Sequence, residues 1–236
     1  MNQSISVFLP VRKGSERVKN KNTKPFAGLS FGLLGIKIQT LIDVNEVSEI
    51  IISTNDPDAI IIGERFCEKS NKIRIDHRPD FLASSETSLV DLVNYVPTIT
   101  QCQHILWTHV TSPFLQSIDY SKAINKYFIV KNKGFDSLMS VVSFKNYLWS
   151  INKNDLINRV NEEKWPRTQD LLELFEIDSG IFIASRDVYI KQKDRVGQRP
   201  FLLENNKIKS FDIDWEEDFK IAEAIYEKFF LDNNLK

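Results

Sequence analysis

The chain is expected to form an α/β fold, a doubly wound and mainly parallel (mixed) sheet, on three observations. Short apolar runs suited to buried strands alternate with segments of helical apolar spacing along most of its 236 residues. A basic, glycine-containing loop follows the first apolar run, where open α/β sheets bind ligands. The composition, 42% hydrophobic and 27% charged, suits one large core, so a single domain over 1–236 is expected.

The elements follow in order. Ile5 to Leu9 reads as the first strand, and Leu33 to Ile42 carries helical spacing. Glu49 to Ile52 is a short strand ending at Ser53-Thr54-Asn55-Asp56, completing a β-loop-α-β unit. Asp56-Pro57 suits a helix start, running to about Glu68, with a brief strand at Lys72 to Ile75. Thr87 to Val96 reads as a helix, Ile105 to Val110 as a buried strand, Ser117 to Ile129 as a helix and Ser137 to Phe144 as a strand. From Lys145 to about Asn161 the pattern becomes irregular and polar, with Trp149 and Trp165 on either side. Such an interruption over 145–165 suits an inserted dimerisation arm. Gly180 to Ala184 and Ile208 to Ile213 then read as strands, and Glu217 to Phe230 as an amphipathic closing helix.

Several function classes are disfavoured. A net charge of -1 argues against nucleic acid as the main partner. No apolar run approaches a membrane span and the N-terminus has no signal-peptide pattern, so no membrane partner and a cytoplasmic location are expected. Cys67 and Cys102 lack metal or redox spacing and are expected as buried free thiols.

The chemistry concentrates in residues 10–28. Arg12, Lys13, Arg17, Lys19, Lys21 and Lys24 are opposed only by Glu16 within 12–24. Arginine supplies bidentate contacts, lysine a mobile charge, and the backbone at Gly14-Ser15 close approach, which together suit a polyphosphate. A solvated basic turn is the plain alternative, disfavoured by the loop's place after a buried strand. Neither a Walker loop nor a dinucleotide fingerprint fits the spacing.

Near the other end, Asp212-Ile213-Asp214 closes an apolar run. On a strand both carboxylates would face one side and invite a cation; alternatively Asp214 caps the following helix.

Pro10, Val11, Arg12, Gly14, Ser15, Arg17, Lys21 and Asn22 resemble the opening signature of the acylneuraminate cytidylyltransferase (CMP-sialic acid synthetase) family. Val11 replaces the usual alanine and Glu16 the usual lysine. Three further blocks are similar in the family's order. They are Arg78-Pro79 with Leu82-Ala83-Ser84 and Thr87, Thr111-Ser112-Pro113, and Pro166 to Leu171 with Phe175 to Ile183. The C-terminal Asp212-Ile213-Asp214, with Glu217-Asp218-Phe219, resembles the block whose aspartates hold catalytic metal. His109 stands at the family's glutamine position, Leu115 and Glu176 at arginines, Asp178 at an asparagine and Phe182 at a tyrosine. The Arg-x-Gln-Asp-Leu form is closer to relatives that activate pseudaminic- or legionaminic-type acids.

The resemblance implies a Rossmann-like sheet of the nucleotide-sugar transferase type, a homodimer, and transfer of CMP from CTP to a nonulosonic acid with Mg²⁺. It implies nucleotide binding by Pro10, Val11, Arg12, Gly14, Ser15, Lys21, Asn22, Arg78, Ser84 and Thr87. Sugar binding falls to His109, Arg167, Gln169, Asp178 and Phe182, metal to Asp212 and Asp214, and catalysis to Arg12, Lys21, Asp214 and Arg167. Asp218 and Glu223 are expected to be structural. A Kdo-type cytidylyltransferase and a nucleotide-binding relative without turnover are the alternatives.

Overall fold

A computed structural model describes residues 4–15, 17–84 and 86–231. Its centre is a seven-stranded sheet in the order β3-β2-β1-β4-β8-β5-β9. The strands are β1 (Ile5–Val11), β2 (Val47–Thr54), β3 (Ile73–His77), β4 (His104–Trp107), β5 (Ser137–Phe144), β8 (Leu174–Ser185) and β9 (Pro200–Glu204). A two-residue pair, β6 (Trp149–Ser150) with β7 (Asp155–Leu156), stands apart from it. Strands β3, β2, β1 and β4 run parallel, as do β5 and β9, whereas β8 is antiparallel to both of its neighbours.

Among the described residues six α-helices cover the sheet: α1 (Gly32–Ile42), α2 (Pro57–Cys67), α3 (Leu89–Tyr95), α4 (Ser117–Lys131), α5 (Arg186–Gln192) and α6 (Glu216–Tyr226). Alternation along β1 divides the core. Val7 and Leu9 join the larger apolar cluster beneath α1, α2, α4 and α6, while Phe8 joins Trp107, Phe182 and Tyr189 beneath α3 and α5. Helix starts follow local chemistry. Asp56 accepts from the Asp58 amide at 3.0 Å with Pro57 in the first turn, and Ser88 accepts from Asp91 N–H at 3.1 Å.

The predicted strand at 208–213 is not formed. Lys207 to Ser210 are a turn, in which Asn206 Oδ1 accepts from the amides of Ile208 and Lys209 at 3.1 and 3.0 Å, and 211–214 follow without ladder partners among the described residues. Asn-Lys chemistry at 206–207 outcompetes an apolar alternation of only a few residues. The strand lies earlier, at β9, and α5 was also unforeseen. The cysteines differ too. Cys67 is exposed at the last turn of α2, off that helix's apolar face, and Cys102 is half-buried in the loop before β4.

His104 opens β4 almost fully buried, its Nδ1 3.1 Å from the Tyr127 hydroxyl. Burial, then the Lys131 charge, lowers its pKa from 6.5 to about 4. The unfolded chain therefore binds this proton first as pH falls, so the contribution is complete above about pH 6.5 and lost on the way down to 4. Unfolding free energy measured by urea titration should fall less steeply across that window in His104→Gln than in wild type; equal slopes would remove His104 from the acid response.

Candidate active site

Loops at the carboxyl ends of β1, β3 and β4 converge on a cleft with residues 212–214. Gly14 makes the first bend at φ +81°, a conformation only glycine adopts without strain. The loop then winds into turns, Lys21 N–H donating to Val18 O at 3.2 Å and Lys24 N–H to Asn20 O at 2.8 Å. Asn22 O accepts from Leu34 N–H at 2.9 Å, which ties the loop to the first turn of α1. At Gly32 a Cβ would stand 2.2 Å from Lys24 O, so the loop passes directly over the helix start.

The loop is also fastened to the chain's far end. Lys21 Nζ donates to Ile213 O at 2.5 Å and lies 3.6 Å from Asp214, which Arg17 meets at 3.1 Å. Lys24 pairs with Glu216 at 3.4 Å and sits 3.7 Å above the Phe219 ring, while Ala27 N–H donates to Glu223 at 2.9 Å. Burial lowers the Lys21 pKa, with Asp214 and Asp212 opposing the shift. The exposed cations Lys13 and Lys19 do not line the cleft.

The cleft is a chamber of about 390 Å³ lined by Pro10, Arg12, Ser15, Arg17, Lys21 and Asn22 from the loop, with Arg78, Trp107, His109, Val110, Thr111, Asp212 and Asp214. Four cations face two carboxylates there. Arg78 is almost fully buried. Its Nε donates to Ser53 Oγ at 3.1 Å and its Nη2 to Ser53 O. Ser53 donates on to Asp76 at 2.7 Å, and Tyr95 donates to the same carboxylate at 2.8 Å. Burial lowers Arg78 to about 10, so it stays charged at neutral pH.

A second chamber of about 650 Å³ opens beyond residues 212–214 and shares Ser179, Asp212 and Asp214 with the first. Its walls include Asn146, Glu176, Asp178, Lys207, Phe211 and Trp215. The two aspartates stand at the boundary. Burial raises the Asp212 pKa against the Thr111 hydrogen bond that lowers it, and Asp212 Oδ1 is buried without a hydrogen-bond partner. An open anionic oxygen in a buried position, beside a second carboxylate, is a fitting donor set for a hard cation. No group of three or more His, Cys, Asp or Glu suited to a metal occurs among the described residues, so such a cation would need oxygens from a ligand. Asp214 is not the helix cap. Asp218 accepts from the amides of Asp214 and Trp215 at 3.0 and 2.7 Å, which leaves Asp214 facing the chambers.

Other sequence expectations are placed differently. Val11 is buried in β1, and Gly14 shapes the loop without lining the chamber. Ser84 and Thr87 form a local turn, Ser84 Oγ accepting from Glu86 N–H and Thr87 Oγ1 donating to Phe81 O, and neither lines a chamber. His109 lines the first chamber, not the second. Its Nε2 accepts from Trp107 Nε1–H at 3.0 Å, and burial beside Arg195 lowers its pKa to about 3, so the ring is neutral. Asp178 lines the second chamber, but its carboxylate is taken by Gly180 N–H, Ser140 and Asn205. Phe182 is buried in the smaller core cluster under the Arg195 guanidinium, because its parity on β8 turns it to the other sheet face. Arg167 and Gln169 lie on a short turn at 167–170, beyond residue 165, and line neither chamber. Arg167 is solvent-exposed and paired with Asp170 at 2.7 Å. Glu16 lies outside the described residues. Sequence reasoning missed Lys37, a lysine on the apolar stripe of α1 that was legible as a charge at a core position.

The cytidylyltransferase family model matches residues 6–236. The chain belongs to that family. It is 24% identical to a pseudaminic acid cytidylyltransferase of Campylobacter jejuni over 93% of this chain and 94% of the relative. It is also 24% identical to an N-acylneuraminate cytidylyltransferase of Streptococcus agalactiae over 90% of this chain, which spans about half, 51%, of that relative. Among solved structures, a CMP:2-keto-3-deoxy-manno-octonic acid synthetase complexed with CTP aligns with a TM-score of 0.66 at 13% identity, covering 95% of this chain and 99% of the other. A 4-diphosphocytidyl-2C-methyl-D-erythritol synthase from Anaerococcus prevotii gives 0.66 at 14%, covering 94% and 98%. These likenesses confirm the cytidylyltransferase fold.

Within this cytidylyltransferase the support of Arg78 can be tested directly. Ser53→Ala leaves Arg78 Nε and one Asp76 oxygen without their partner and should cost about 1–3 kcal/mol in urea unfolding. An unchanged midpoint would show that the buried guanidinium does not need Ser53.

Proposed function

We propose that this cytidylyltransferase transfers CMP from CTP to the anomeric hydroxyl of a nonulosonic acid, releasing pyrophosphate. The observation that carries the reading is the junction of a cationic chamber with a second, larger one at Asp212 and Asp214. The first is matched to a nucleoside triphosphate, the second to an acceptor, and the α-phosphorus then lies where they meet. The relatives' names favour a nonulosonic acid over the eight-carbon acid of the structural neighbour.

Arg12, Ser15 and Lys21 hold the phosphates, with Arg17 beside them, and disperse charge as pyrophosphate leaves. Asn22 and the rigidly supported Arg78 orient the nucleoside. Asp212 and Asp214 would hold Mg²⁺ against the substrate phosphates. When bound, the ion would neutralise phosphate charge at the reacting centre. No protein nucleophile is required, and the neutral His109, committed to Trp107, serves as a wall of the nucleotide chamber. The reaction belongs in the cytoplasm, where CTP is made, and would feed surface glycan synthesis.

A homodimer is part of this reading. The 145–165 arm presents Trp149, Ile151, Val160 and Trp165 to solvent, Ile151 at 89% exposure, an apolar surface that suits a second copy of the chain. Replacing Ile151 and Val160 together by Asp should convert a dimer to monomer in sedimentation velocity; a wild type that already sediments as a monomer would refute the arm's role.

The activity is tested by pyrophosphate release from CTP and Mg²⁺ with a panel of nonulosonic acids and Kdo. Release with a nonulosonic acid is expected, and Lys21→Ala should lower turnover by roughly 10²–10³-fold, the scale for one lost charge-stabilising donor. CTP binding without release from any acid would identify a nucleotide binder instead.

A further inference from the structure

Lys37 stands among Leu33, Leu34, Ile38 and Leu41 on the buried stripe of α1 and is 1% exposed. An ammonium in that position is costly unless its donors are used, and an apolar residue would fill the same space more cheaply. Nζ donates to the Ser112 carbonyl oxygen at 2.7 Å and to the Tyr120 hydroxyl at 2.6 Å. That hydroxyl lies 2.9 Å from Thr108 Oγ1. Thr108 and Ser112 are the two ends of the loop that carries His109, Val110 and Thr111 into the nucleotide chamber. Thr111 O accepts from Ile213 N–H at 3.0 Å, and the Thr111 side chain hydrogen-bonds Asp212.

We propose that Lys37 is a positioning residue for the transfer reaction, pinning both ends of the 108–112 loop from beneath and, through Thr111, setting the place of Asp212. It touches no substrate. One amino group does what two independent contacts would otherwise do: its bond to Ser112 fixes the loop's exit, and its bond through Tyr120 fixes the entry. Burial lowers its pKa to about 7, against the carboxylates of Asp212, Asp119 and Asp178, which raise it from longer range. The consequence for metal binding rests on the reading of Asp212 given above, whereas the pinning of the loop stands without it.

Residue-resolved amide exchange on the whole chain separates these roles. In Lys37→Met the Ile213 amide should exchange about tenfold faster relative to Ile50 to Ile52 of β2, the scale of one lost hydrogen bond. Tyr120→Phe, which keeps the Ser112 tie, should show a smaller acceleration at the same amide and carries the test if Lys37→Met does not fold. Mn²⁺ affinity in the presence of CTP, read by the free-ion electron resonance signal, should fall about tenfold in Lys37→Met. Exchange at Ile213 that rises no more than in β2 in the folded variants would overturn the proposal, since a merely space-filling lysine loosens the core uniformly. A wild type that binds no Mn²⁺, or an Asp212→Asn variant that binds it equally well, would refute the metal reading, while the exchange result would still decide the role of Lys37.

Discussion

The site depends on one clasp between the two ends of the chain. Lys21 reaches the carbonyl of Ile213, 192 positions away, and with Arg17 it meets Asp214. Around this contact the loop is held by Lys24 on Glu216, by Ala27 N–H on Glu223, and by the Phe26 ring edge-on to Phe219 at 5.2 Å. Exposed ion pairs contribute little singly. Here they flank a half-buried lysine and an aromatic contact, so the loop is located by packing and only adjusted by charge. A basic loop without this anchor would be a solvated turn.

The clasp also solves an electrostatic problem. Asp212 and Asp214 are neighbours at the boundary of the two chambers, and burial already opposes ionisation of Asp212. Arg17 and Lys21 offset Asp214 in the chain itself, and a cation shared with phosphate oxygens would offset both. Two of the four cations that suit a triphosphate, Arg17 and Lys21, therefore keep the carboxylates close without a ligand. The support behind them is similarly layered: Tyr95 holds Asp76, Asp76 holds Ser53, and Ser53 holds Arg78.

Much of this was legible in the sequence. The alternation of apolar runs located β1, β2, β3, β4 and β5 and most helices, because buried parallel strands are short, continuous and apolar. The dense motif around Arg12, Ser15, Lys21 and Asn22 marked a loop that the structure brings together with Arg78, Asp212 and Asp214. What sequence could not supply was parity and context. Phe182 aligns with a family position yet packs into the smaller core cluster, and Ser84 and Thr87 spend their hydroxyls on their own turn. Asp212 and Asp214 share a boundary through a turn-anchored extended segment, not through a strand. Asp218, three residues inside the helix region, takes the capping duty that Asp214 could have had. Arg167 and Gln169 sit on a short turn whose distance from the chambers no local pattern reveals.

The most direct measurement is calorimetric titration of the wild-type chain with CTP, with Mg²⁺ and again in excess chelator. If the clasp places Asp212 and Asp214 against the phosphates, CTP binds at one site per chain and roughly tenfold more tightly with Mg²⁺, because the bare carboxylates repel the triphosphate. Equal or tighter binding in chelator would contradict that placement.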